Sequence, residues 1–188
     1  MKRSVSLVLV CALLVMLLAP ASLPAAQDAR LTDVIVTNTQ DDLLLYMKVE
    51  GAFTKEMEEA VLSGVPTTFS FVADLYQVRH FWFDHRVAWC KVTHTIKYDK
   101  LKKVFIVYRS WDPDPQVTQS FEEAKKLMSE VDSLKIVALS RLKKGVHYQM
   151  RAKAELNKRT LPFNLHYVLF FMSLWDFETD WYTIDFVY

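Results

Sequence analysis

From Val146 to Asn157 the chain alternates without a break. Val146, Tyr148, Met150, Ala152, Ala154 and Leu156 take turns with His147, Gln149, Arg151, Lys153, Glu155 and Asn157. A strand sends successive side chains to opposite faces, so the first set is buried and the second is wet. Burial on one face only belongs to antiparallel sheets, because parallel strands are covered on both faces and read as continuous apolar runs. The pattern therefore selects an antiparallel sheet resting on a core.

Other segments agree. Leu31–Thr37 and Leu43–Glu50 are β-rich runs on either side of the turn-prone Asn38–Asp42, which predicts a hairpin. Thr67–Phe83 and Val87–Tyr98 predict two long strands joined around Asp84-His85, and Val104–Arg109 follows a polar turn. Leu134–Leu142 predicts a strand joined to Val146–Asn157 as a hairpin through Lys143-Lys144-Gly145. Trp111–Pro115 interrupts the series, because its two prolines offer no backbone donors to a ladder.

Helix signals are few. Thr54 can cap a short helix in which Met57, Ala60 and Val61 share a face, with Gly64 as its stop and Pro66 beyond. Ser120 and Glu123 have capping-box spacing ahead of an apolar stripe of Phe121, Ala124, Leu127, Met128 and Val131. The expected fold is mainly β, with α+β as the alternative. It is an antiparallel β-sandwich, immunoglobulin-like in general architecture, with two or three short helices.

The N-terminus is of another kind. Lys2 and Arg3 precede an apolar run from Val5 to Leu18, and small residues with Pro20 and Pro24 lead to Ala25-Ala26-Gln27. This is the three-part pattern of a secretory signal peptide. The run is shorter than the roughly 20 residues a membrane-spanning helix needs. The expectation is a signal over residues 1–26, a single domain over 27–188, and a periplasmic protein that meets the membrane only through its transient signal segment. An uncleaved inner-membrane anchor is the alternative.

Loss of that segment removes Lys2, Arg3 and Cys11. The formal net charge of +1 then becomes −1, leaving no basic excess for nucleic acid. Cys90 remains as a lone thiol in a strand-like run, without a partner for an internal disulfide. Its expected role is that of a small buried hydrophobe.

Chemical motifs are sparse. Gly51, Gly64 and Gly145 belong to no phosphate-cradling loop, and no G-x-S-x-G elbow occurs. No cofactor is expected. His80, Asp84 and His85 are the candidates for a metal, since zinc takes imidazole and carboxylate ligands. In an extended segment, however, His80 and Asp84 stand roughly 13 Å apart. Asp176, Glu178 and Asp180 alternate with Phe177, Thr179 and Trp181 as an acidic face. Paired carboxylates acting as acid and base need a shared cleft.

Aromatic residues crowd the C-terminal stretch, among them Phe163, Tyr167, Phe170 and Phe171. Aromatics dominate both cores and interface anchors. Trp175, Phe177, Trp181 and Tyr182 are the candidate interaction residues.

Three groups of residues carry a family resemblance. They are Leu75–Asp84 with Arg79, Trp82 and Asp84; the His94–Leu101 stretch with Tyr98-Asp99-Lys100-Leu101; and Leu161-Pro162-Phe163-Asn164-Leu165 with the later Trp175 and Trp181. The chain resembles the bacterial domain of unknown function 4390 family of exported proteins. The resemblance implies no catalytic residues, and it implies an association with membrane sensor kinases. The leading expectation is an exported, non-enzymatic module that binds an envelope protein or an apolar ligand. The alternatives are an envelope hydrolase using the His/Asp group or the C-terminal carboxylates, and a structural or assembly factor of the envelope.

Overall fold

The computed structural model describes residues 29–156 and 177–188. The expected signal segment, Leu161–Leu165, Trp175 and Asp176 lie outside the described residues, as do the aromatics between 163 and 171. Nine strands and two α-helices are described: β1 (Arg30–Asn38), β2 (Asp42–Glu50), α1 (Lys55–Leu62), β3 (Thr67–Gln77), β4 (His85–Asp99), β5 (Val104–Arg109), β6 (Gln116–Thr118), α2 (Phe121–Ser129), β7 (Glu130–Ala138), β8 (His147–Leu156) and β9 (Tyr182–Val187). All strand pairs are antiparallel. One sheet has the order β1-β2-β7 and the other β6-β5-β4-β3-β8-β9. The larger sheet curls into half a barrel.

The alternating segment behaves as its pattern requires. In β8, Tyr148, Met150, Ala152 and Ala154 are buried, and His147 and its alternates are wetter. β3 lies between β4 and β8, with Phe71 opposite both Val92 and Ala154. Flanked on both edges, it is buried on both faces from Thr67 to Leu75. Leu45, Met47 and Val49 of β2 and Phe69, Phe71 and Leu75 of β3 belong to one continuous core. That two-sheet, mainly β architecture is the expected one.

Both helices begin at the expected caps. Thr54 Oγ1 accepts the Met57 N–H at 3.3 Å, and Met57, Ala60 and Val61 are buried. Gly64 follows at φ +89°, a left-handed conformation that glycine takes without strain. Ser120 Oγ accepts the Glu123 N–H at 3.2 Å. The capping box is modified, because the Glu123 carboxylate accepts from the Thr118 hydroxyl, which itself accepts the Ser120 N–H at 3.1 Å. Rings then link α2 to the sheets. Phe121 stacks on Phe105 at 5.0 Å and meets Phe53 at 6.4 Å, and Phe53 tilts against Phe69 at 5.1 Å.

Three expectations need correction. The segment Leu134–Leu142 does not form a hairpin with β8. Its strand, β7, pairs with β2 in the other sheet, and Leu139–Arg141 is a single 3-10 turn. The Leu139 N–H donates to the Asp41 carbonyl at 2.7 Å, which holds the crossing point to the β1–β2 turn. Gly145, at φ +73°, reverses the chain into β8. Val131 is buried, but in β7 rather than on α2, which ends at Ser129. The strand expected to run to Phe83 stops at Gln77, and its partner starts at His85.

Candidate interaction surface

The early end of β3 has a structural cause. The last bond from this segment to its β8 neighbour is from the Val78 N–H to the His147 carbonyl, at 3.0 Å. β5 pairs with β4 only from His94 to Asp99, so it never reaches this end of the hairpin. Among the described residues, those beyond Val78 thus have no β8 or β5 neighbour to extend along. The Arg79 N–H turns back onto Asp84 Oδ1 at 3.2 Å and closes the loop.

That closure leaves three successive aromatic side chains in water. Phe81, Trp82 and Phe83 are 94, 80 and 96 % exposed. Isolated exposed apolar residues are ordinary, whereas a contiguous group of large ones marks a contact surface. Trp89, further along β4, is exposed as well. The sequence assigned these aromatics to a strand because their β propensity is high. A run of three with no polar alternate was the available signal against it.

The metal candidates sit on this same tip. His80, Asp84 and His85 are all exposed, and the Asp84 carboxylate already serves the loop closure. Among the described residues, no three His, Cys, Asp or Glu side chains gather as a metal would require. The structure does not bring this trio together as ligands.

The C-terminal candidates divide. Phe177 is buried, with its ring edge-on to Phe69 at 4.8 Å. It belongs to the core rather than to an open contact surface. The backbone fixes it there: the Leu156 N–H donates to the Phe177 carbonyl, and the Thr179 N–H donates to the Ala154 carbonyl, each at 2.9 Å. Trp181 and Tyr182 remain exposed, and the Lys153 ammonium lies 5.3 Å from the Trp181 ring centre. Of the acidic face, Glu178 pairs with Lys153 and Asp180 is exposed. The Glu178 hydrogen bond is the main cause holding the Lys153 pKa above its ordinary value. These two carboxylates lie on an open, solvated face, which is not the cleft that acid–base work requires.

Two other features were not legible as sites. His94 is fully buried between Phe71 and Trp111, with ring centres 4.9 and 4.8 Å away. An open hollow of about 750 Å³ lies beside the β1–β2 turn, lined by Asp41, Asp42, Lys135, Ser140, Lys144 and Tyr188. Lys135 and Asp42 pair across it at 2.8 Å. Segments distant in sequence assemble it, so no local pattern announces it. Cys90 is half-buried, and burial pushes its thiol pKa up to about 11. It is protonated at neutral pH and a poor nucleophile.

No helix among the described residues is long and apolar enough to cross a membrane. No curated protein and no solved structure matches the chain. A family model described as a domain of unknown function matches residues 26–185, which takes in both the aromatic tip and the Phe177–Tyr182 stretch. The chain therefore belongs to the DUF4390 family.

Proposed function

We propose that the protein is an exported, non-enzymatic interaction module of the cell envelope. One observation carries the reading: a well-packed β framework presents large aromatics that its own core does not use. Phe81, Trp82 and Phe83 stand at one end, and Trp181 and Tyr182 stand on the edge formed by the C-terminal strand. Export is supported by the basic, apolar and small-residue order of residues 1–26. The family match, beginning at Ala26, is consistent with a boundary there. An envelope protein, with a membrane sensor kinase implied by the family resemblance, is the partner class for the Trp181–Tyr182 face.

Fractionation and crosslinking test this together. The full chain is produced in a bacterium with a photo-crosslinking residue at Trp181. The chain is expected in the periplasmic fraction, with a discrete light-dependent adduct to an envelope protein. Recovery in the cytoplasm, or no adduct, overturns the reading.

A further inference from the structure

We propose that the β3–β4 tip inserts into the boundary between headgroups and acyl chains of a lipid bilayer. The inference rests on the reading of an envelope module and names the surface that the module meets. Phe81, Trp82 and Phe83 are consecutive, so around a tight loop their rings leave the backbone in different directions. A rigid protein groove covers one face of such a loop. A fluid interface closes around all of it.

The side-chain chemistry matches that interface. Aromatic rings, tryptophan above all, concentrate where one end of a side chain is apolar and the other is wet. A polar collar flanks the three rings: Arg79 and His80 lead into them, and His85 and Arg86 follow. Asp84 is the one acid of the collar, and its exposed carboxylate accepts the Arg79 N–H. Arg86 approaches Asp74 at 3.6 Å, yet its side chain stays 58 % exposed. Asp74 offsets Arg86, so among the described residues the Arg79 guanidinium is the collar's one arginine without an ion-pair partner, placed to meet a headgroup phosphate. The tip also projects past the last bond to β8, so the rings can be immersed without disturbing the sheet.

The test uses the chain purified from whichever fraction of cells expressing the full sequence contains it, floated with phosphatidylglycerol–phosphatidylcholine vesicles. The N-terminal 26 residues contain no aromatic, so tryptophan quenching by brominated lipid is blind to them. Quenching is expected for the native chain and is expected to be largely lost in Trp82→Phe. Replacing Phe81, Trp82 and Phe83 together by serine is expected to weaken vesicle binding at least about tenfold. Because these rings are largely exposed and belong to no described core contact, that variant should melt where the native chain does. Absence of vesicle binding, unchanged quenching in Trp82→Phe, or equal binding by the triple variant overturns the proposal. So does a triple variant that loses self-association or a protein adduct while vesicles remain unbound. A chain that binds vesicles through the tip but fractionates with the cytoplasm keeps the lipid contact and overturns the envelope reading. A periplasmic chain that ignores vesicles does the reverse.

Discussion

The ring of His94 lies 2.9 Å, measured from Nδ1, from the carbonyl oxygen of Met128, and so joins the middle of β4 to the last turn of α2. A carbonyl only accepts, so Nδ1 carries the proton and Nε2 is left bare. Nε2 is buried without a hydrogen-bond partner among the described residues. Burial is the main cause that lowers the His94 pKa to about 4; the Met128 bond opposes the shift, and the Arg109 charge adds to it.

A pH dependence of stability follows. Below its ordinary value of 6.5, His94 takes up a proton in the unfolded chain but not in the folded one until about pH 4. Its contribution is therefore complete above pH 6.5 and is lost progressively as the pH falls through that window. The loss reaches about 3 kcal/mol. Urea titrations between pH 7.5 and 4.5 should show it, and His94→Gln, which can still donate to Met128, should flatten that slope. Equal slopes in both proteins would count against the assignment.

Phe177 and Trp181 should respond in opposite ways to truncation. Phe177→Ala removes a ring packed on Phe69 and should destabilise the fold by about 3–5 kcal/mol. Trp181→Ala removes an exposed ring and should change stability by less than about 0.5 kcal/mol. Denaturant midpoints measure both. A small effect at Phe177 would remove it from the core.

The cap of α2 is expected to be worth about 1 kcal/mol, read as the loss of stability in Ser120→Ala. Thr118→Ala should also destabilise, because its hydroxyl serves both the Ser120 N–H and the Glu123 carboxylate. If Thr118→Ala proved silent in thermal melts, the relay between these three residues would be irrelevant to folding.

Cys90 should resist alkylation. With its pKa moved from 9.0 to about 11, the thiolate fraction at pH 8 falls by about a hundredfold relative to a free thiol. Iodoacetamide labelling followed by mass spectrometry should be correspondingly slow in the native protein and fast in urea. Rapid native labelling would contradict the burial.

Local features were the readable ones. Strict alternation located β8, and Thr54 and Ser120 located both helix starts, because each signal is contained within a few neighbouring residues. Sheet membership was not readable. Leu134 and Val137 are both buried though three residues apart, since the pairing with β2 shifts register once between them, at Leu43/Leu44. Nothing local tells such a strand to leave its sequence neighbour and cross to the other sheet. The aromatic tip was misread for a related reason. Phe81-Trp82-Phe83 has the composition of a strand, and only the end of β8 denies it a ladder. Phe177 and Trp181 show the same limit from the other side, since composition cannot tell which of two nearby aromatics the backbone will turn inward.

The pairing of β2 with β7 makes completion of the smaller sheet depend on stretches far apart in the chain. Met47 must find Val131, and Phe71 of the central strand must find Ala154, before either sheet is complete. Contacts between such distant stretches of chain are entropically slow to form, and their prevalence correlates with slow folding. A nascent chain of this kind holds its first two strands as an isolated hairpin, which is marginal by itself in water. Both sheets thus need strands from the second half of the described chain, β7 in one and β8 in the other, so slow closure is the expected folding behaviour.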